Sequence, residues 1–185
     1  MHVTDFIQTY PFAISRNLAD EVIHHYHTNG EWNQSSFSTS DGISPRTNDR
    51  VDMKEYWINK QDKFYEELKT GFRGMVDNYI KTHTKILPQS FTPFRMNHYT
   101  EGGFMKNHID NIHHSHGQQY GYPHVTALLF LQTAEEGGEI VFCDGEYIPK
   151  QTKGSGVVFP SNFMFSHEVK KVIKGNRYSL MTWII

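Results

Sequence analysis

Asn107-His108-Ile109-Asp110 is the stretch on which the reading of this chain turns. His108 and Asp110 are two apart, so on an extended strand both side chains leave the same face. A second histidine, His167, arrives much later, in the strand-like run Phe165-Ser166-His167-Glu168. Two imidazoles and one carboxylate cap one face of an octahedral metal and leave the opposite positions open, a donor set suited to non-haem ferrous iron. Ten residues beyond His167 stands Arg177, a fixed cation whose planar donor fork matches a carboxylate.

The final run, Arg177 to Ile185, extends the pattern by period alone. If Arg177 points inward, so do Ser179, Met181, Trp183 and Ile185, while Tyr178, Leu180, Thr182 and Ile184 point outward. A cation and a hydroxyl two residues apart then share one inner face. Upstream, Arg95, Asn97 and Tyr99 fall on one face of the strand before Gly102-Gly103, and Thr126, Leu128 and Phe130 share a face further on.

The ordered set His-x-Asp, distal His, then Arg ten residues on resembles the 2-oxoglutarate- and Fe(II)-dependent oxygenases, in particular their prolyl 4-hydroxylase-like branch. The resemblance runs from about Phe91 to Ile185. It is carried also by Arg95-Met96-Asn97-His98-Tyr99 with Gly102-Gly103, by Gly137-Gly138-Glu139 with Val141-Phe142, and by Val157-Val158-Phe159-Pro160. It implies that His108, Asp110 and His167 hold Fe(II), and that Arg177 and Ser179 bind the distal carboxylate of 2-oxoglutarate. Tyr99 would bond a co-substrate carboxylate, Trp183 would wall the pocket beside the iron, and Leu128 and Phe130 would line the co-substrate's wall. Phe130 stands where the family sometimes has a tyrosine, and Met181 where it often has a threonine. Dioxygen is the further co-substrate and ascorbate a candidate reductant. The implied product is a hydroxylated C–H, with succinate and carbon dioxide released.

The implied substrate is a prolyl residue in a peptide or protein. Two alternatives stand beside it: a free small molecule such as an amino acid, or a non-catalytic cupin-like barrel that binds a metal or a partner. Arg46, Arg50, Asn97 and His113 are the candidate substrate contacts. Arg46 and Arg50 lie in the Ser-, Thr- and Asn-rich stretch Asn33 to Arg50, which reads as a long loop and a candidate lid over the site. His113 opens the cluster His113, His114 and His116, either a second metal site or a solvated loop.

Composition bounds the rest. The chain has 185 residues and a formal net charge of -2, with a pI near 6.6, so nothing in it calls for nucleic acid or an anionic membrane. A single cysteine, Cys143, excludes an internal disulfide framework and suits a reducing cytoplasm. No basic segment leads into an apolar run at the start, and no stretch approaches a membrane span. The expectation is one soluble, cytoplasmic oxygenase domain over 1–185, a monomer or small homo-oligomer.

The expected fold is mainly β with supporting helices (α+β), a double-stranded β-helix of jelly-roll or cupin-like form with N-terminal helices packed on one sheet. Residues 1–90 would supply helical support and the lid, and 91–185 the metal-binding barrel strands. Phe6 to Ile14 reads as an opening strand. Ser15 caps a helix that stops at Asn29-Gly30, and Asn59 caps a longer one with an apolar stripe from Phe64 to Ile80. Gly71 and Gly74 in that helix suggest close packing against a sheet.

Overall fold

The computed structural model describes residues 2–36, 49–87, 90–111 and 122–185. Two antiparallel sheets face one another. The larger contains, in spatial order, β1 (Gln8–Tyr10), β10 (Gly156–Pro160), β7 (Val125–Gln132), β13 (Arg177–Ile184), β5 (Phe94–Tyr99), β4 (Lys54–Ile58) and β2 (Asn33–Gln34). The smaller contains β3 (Val51–Asp52), β6 (Phe104–His108), β11 (His167–Val169) and β9 (Ile140–Phe142). A short ribbon pairs β12 (Val172–Lys174) with β8 (Glu136–Gly137). This is the expected jelly-roll, a double-stranded β-helix.

Alternation along the strands of the larger sheet divides the apolar residues between two cores. Tyr178, Leu180 and Ile184 of β13 pack outward with Phe94, Met96, Ala127 and Leu129, beneath the helices. Met181 and Trp183 pack inward with Tyr99, Leu128 and Phe130, against Met105, Ile140, Phe142 and Val169 of the smaller sheet. Each such side chain, once fully buried, contributes about 2 kcal/mol. The inner core is the one that polar residues interrupt.

Two helices cover the outer face. In α1 (Arg16–Asn29), Ser15 Oγ accepts from the Leu18 amide at 3.1 Å, and Ala19, Val22 and Tyr26 form the buried face. In α2 (Tyr65–Thr82), Leu68, Phe72, Met75, Val76 and Tyr79 are buried at helical spacing. None of the helices is long and apolar enough to cross a membrane, among the described residues.

Several boundaries differ from expectation. Asn59 does not cap α2; its amide donates to Asp62 Oδ2 at 2.6 Å in a separate turn, and the helix starts at Tyr65 after Phe64 at φ 68°. An Asn-x-x-Asp turn imitates a cap signal, and the apolar stripe merely begins in the same place. The first ninety residues also contribute β1 to β4, so they are more than helical support. β1 lies within the expected opening strand, but β2, β3 and β4 are too short for alternation to announce them. Of the expected lid, residues 37–48 lie outside the described residues, and Asn33–Gln34 is an edge strand paired with β4. The run Phe165 to Val172 is divided into β11 and the start of β12.

The two glycines of α2 also differ from each other. A Cβ at Gly71 would meet Ile14 Cγ2 at 2.5 Å and the Ala13 carbonyl oxygen at 3.1 Å, whereas nothing lies within 4 Å of one at Gly74. Gly71 therefore marks close packing against the segment before α1, and Gly74 lies on the exposed face. Gly74→Ala should stabilise the protein by about 0.5–1 kcal/mol through helix propensity alone. Gly71→Ala should lose that gain to overpacking and cost about 1 kcal/mol or more. Urea midpoints of the two variants check the contrast.

Candidate metal and carboxylate site

His108 and His167 face each other as direct partners across the β6–β11 pair. Their ring centroids lie 4.3 Å apart. Asp110, just beyond the end of β6, approaches both: Oδ1 is 3.8 Å from His108 Nε2 and Oδ2 is 3.8 Å from His167 Nε2. One ligand atom from each residue lies within 4.8 Å of the others, and this is the one such group among the described residues.

The pairing depends on an irregularity in β6. Val169 pairs with Met105 while His167 pairs with His108, so β6 holds one residue more than β11 over this interval. Without that bulge, Met105 and His108 would point to opposite faces. With it, Met105 enters the inner core and His108 still reaches the site.

Hydrogen bonds then select the tautomers. His108 Nδ1 donates to the Lys106 carbonyl at 3.0 Å, and His167 Nδ1 donates to the Phe165 carbonyl at 3.1 Å. A carbonyl only accepts, so the proton sits on Nδ1 and each Nε2 turns a lone pair toward Asp110. Burial, reinforced by neighbouring His167, pushes the His108 pKa down to about 3 and keeps its imidazole neutral. Burial acts to raise the Asp110 carboxyl; His167, His108 and a hydrogen bond from Thr126 outweigh it and hold it below its ordinary value. Thr126 Oγ1 donates to Asp110 Oδ2 at 2.6 Å and lies 2.9 Å from Ser161 Oγ. Having given its one proton to Asp110, Thr126 accepts from Ser161. Three donor atoms brought within 4.8 Å of one another and oriented from behind fit a divalent metal that accepts nitrogen and oxygen ligands.

Arg177 lies deeper, buried on β13 opposite Tyr99 of β5. Its Cζ stands 5.1 Å from the centre of the Tyr99 ring. Nη1 donates to Ser179 Oγ at 3.0 Å, while Nη2 is buried with no partner. Asn97 Nδ2 also reaches Ser179 Oγ, at 3.4 Å, so the serine proton is free to be donated onward. Burial lowers the guanidinium pKa, with Tyr99 and Glu139 acting in opposition; an arginine keeps its charge regardless. Burial likewise raises the Tyr99 phenol, against the pull of Arg177. Gly138, at φ 74°, lets the turn before β9 close on this cation: a Cβ there would stand 3.0 Å from Val172 Cγ2 and 3.4 Å from Arg177 Cδ. A buried cation with an orphaned nitrogen and an adjacent free hydroxyl fits a carboxylate.

The two clusters share one narrow cleft, lined also by Tyr99, Asn97, Leu128 and Met181. Its free volume is about 20 Å³. That is room for about one water. A larger groove of about 710 Å³, between residues 9–16 and 150–155, is remote from this chemistry.

Of the other expected site residues, Phe130 and Trp183 are buried on the same inner face but are not among the side chains that line the cleft. Arg50 is outside that lining too, its carbonyl accepting from the Lys106 amide at 2.8 Å. Arg46 and His113, with the rest of the histidine cluster, lie outside the described residues. Sequence reasoning left Thr126 and Ser161 without a role, and it gave none to Arg95. Thr126 was placed on an inner face, but a hydroxyl there carries no mark of what it supports.

Comparison with known proteins agrees with this geometry. The family described as the 2OG-Fe(II) oxygenase superfamily matches residues 94–185. The chain is 26% identical over 165 residues to a PKHD-type hydroxylase of Psychrobacter sp. (strain PRwf-1), covering 85% of this chain and 60% of the relative. It is 36% identical over 102 residues to a PKHD-type hydroxylase of Shewanella oneidensis, covering 53% of this chain and 45% of the relative. The chain thus spans about half the length of the curated relatives it matches. Among solved structures, the viral collagen prolyl hydroxylase of Paramecium Bursaria Chlorella virus-1 in its 2OG complex superposes with a TM-score of 0.74 at 15% identity, over 99% of this chain and 98% of that one. A prolyl hydroxylase from Trichoplax adhaerens, in complex with a hypoxia inducible factor peptide, gives 0.74 at 19% identity, over 98% and 84%. These structures share the fold.

Thr126→Val removes the donor to Asp110 while keeping the side chain's shape. Cobalt(II) affinity, followed by visible absorption, should fall about 10–100-fold with an unchanged circular dichroism spectrum.

Proposed function

We propose that this chain, which belongs to the 2OG-Fe(II) oxygenase superfamily, is a hydroxylase that uses Fe(II), 2-oxoglutarate and dioxygen. The observation that carries the proposal is a cleft with two unlike ends. At one end His108, Asp110 and His167 turn three lone-pair donors on one point; at the other, Arg177 holds out a buried nitrogen that has no partner. A metal-binding barrel without the co-substrate has no use for the second end.

A ferrous ion on this triad would supply dioxygen activation coupled to oxidative decarboxylation of 2-oxoglutarate. The chain's own residues do the positioning. Carbonyls of Lys106 and Phe165 fix the two imidazoles in the binding tautomer, and the Ser161–Thr126 pair fixes the carboxylate. Arg177 and Ser179 would receive the far carboxylate of 2-oxoglutarate, and Tyr99 forms the wall beside it. Leu128, Met181 and Ile140 exclude water between the two ends.

For the substrate, a prolyl residue in a peptide or protein is the first reading. It is supported by the fold shared with prolyl hydroxylases, one of them in complex with a peptide fragment. The second reading is a free amino acid or similar small acid, favoured by a further cation in the cleft, Arg95. Peptide-stimulated succinate release, with one oxygen atom gained at proline, supports the first reading. A stoichiometric zinc site without 2-oxoglutarate binding would leave a non-catalytic barrel in its place.

Two measurements test the core of the proposal. Anaerobic addition of Fe(II) and then 2-oxoglutarate should give the visible charge-transfer band of a bidentate keto-acid chelate. His108→Ala should abolish that band without changing the circular dichroism spectrum. Arg177→Ala should keep iron binding yet weaken 2-oxoglutarate by roughly 2–5 kcal/mol, about 30-fold or more. An unchanged 2-oxoglutarate affinity would strip Arg177 of its role.

A further inference from the structure

We propose that Arg95 forms a second carboxylate site in the cleft and receives a carboxylate of the substrate, an assignment that rests on the oxygenase reading above. Arg95 sits on β5 between two cross-strand partners, Trp57 of β4 and Met181 of β13. Its side chain is 12% exposed, with Cζ 5.9 Å from the Trp57 ring centre and 5.6 Å from that of Trp183. A guanidinium carries five N–H donors. Among the described residues, its one hydrogen-bond acceptor is Met181 Sδ, at 2.8 Å, and a thioether is a weak acceptor. Nε is buried with no partner. The nearest carboxylate, Glu55 Oε2, stands at 3.8 Å, beyond hydrogen-bonding distance. Nε1 of Trp183, the ring beside Arg95, is also buried without a partner.

A buried cation so poorly supplied with oxygen acceptors is set for an anion. That anion is not the far carboxylate of the co-substrate, which belongs to Arg177. Arg95 is four residues along β5 from Tyr99, the partner of Arg177, a separation of roughly 13 Å along the strand. Arg95 instead lines the same cleft as His108, Asp110 and His167. It sits at the other end of the β5–β13 pairing from Arg177, in the cleft that also holds the triad, where a substrate's reacting carbon must come. A carboxylate near that carbon, either that of a free amino acid or that at the end of a peptide, supplies the missing acceptors. Glu55 opposes this binding, which keeps the site selective and leaves Arg95 only loosely neutralised when the site is empty.

The test uses tryptophan fluorescence, because Trp57 and Trp183 flank the proposed site. Protein held anaerobically with saturating Fe(II) and 2-oxoglutarate is titrated with sodium acetate, against sodium chloride at equal ionic strength. Acetate should give a saturable change that chloride does not. Arg95→Gln should raise the half-saturating acetate concentration at least about tenfold and Glu55→Gln should lower it, both with 2-oxoglutarate affinity held within about twofold. The opposite directions of the two variants separate a lost ligand site from a damaged fold. Competition by L-proline identifies a free amino acid as the source of the carboxylate. Competition only by an N-acetylated prolyl peptide with a free C-terminus identifies the peptide's end.

Identical responses to acetate and chloride would overturn the assignment, as would an Arg95→Gln titration that matches wild type. So would a tenfold loss of 2-oxoglutarate affinity in that variant, about 1.4 kcal/mol, since Arg95 would then serve the co-substrate. If wild-type protein gives no chelate band, the oxygenase reading fails separately, and acetate titration of the metal-free protein still reads Arg95.

Discussion

The register between β6 and β11 is the constraint from which the site follows. It sets His108 directly across from His167, where the Lys106 carbonyl of β6 and the Phe165 carbonyl just before β11 hold both imidazoles in one tautomer. A slip of one residue would turn one imidazole out of the cleft and Met105 or Val169 out of the core. Apolar packing and donor geometry therefore enforce the same register. The bulge in β6 makes that agreement attainable, because strict alternation would have put Met105 and His108 on opposite faces. Its extra residue also brings the Lys106 carbonyl within 3.0 Å of the histidine it orients.

The larger sheet answers with a polar ladder in an otherwise apolar face. Arg177 pairs with Tyr99, Ser179 with Asn97 and Met181 with Arg95 across β13 and β5. Two of these six residues are cations, both substantially removed from water. Each is stacked on aromatic rings, a contact that stabilises a desolvated guanidinium without consuming its hydrogen-bond donors. Seating the cations in this way leaves their N–H groups available, at some cost in stability. Neighbouring backbone adapts to them: the glycine turn at Gly138 closes over the stem of Arg177, where a side chain would crowd Val172.

How much of this could be read in the sequence depended on how far the relevant signal extends along the chain. The convergence of His108, Asp110, His167 and Arg177 on one cleft was legible because two-residue spacing on a strand fixes a shared face, and because the order of the four residues is itself a pattern. The two long strands β7 and β13 and both helices were legible for the same reason, being many periods long. β2, β3 and β4 were not, since two to five residues carry too little alternation to stand out from a polar stretch. The mistaken cap at Asn59 shows a related weakness: one side chain can satisfy a turn or a helix end, and only the backbone that follows decides. Thr126, Ser161 and Glu55 were illegible as site residues. Their roles are pairwise contacts over 16, 35 and 40 residues of chain, and nothing local to any of them records its partner.

Arg95 shows where an inner-face position and a functional position part company. The sequence placed it on the face of β5 that carries Asn97 and Tyr99, and that placement holds. A guanidinium there could have been neutralised by a close carboxylate, leaving an inert buried ion pair that well-packed apolar residues could replace at little cost. Instead Glu55 stands off at 3.8 Å, hydrogen-bonded by Trp57 Nε1 at 3.4 Å through its other oxygen. Tightening that pair would satisfy both charges and close the site to an incoming anion. The loose arrangement keeps a cation in the cleft that the triad also lines. A cation held this way is stabilised enough to fold and left unsatisfied enough to bind, which is the compromise a recognition residue requires and a structural one does not.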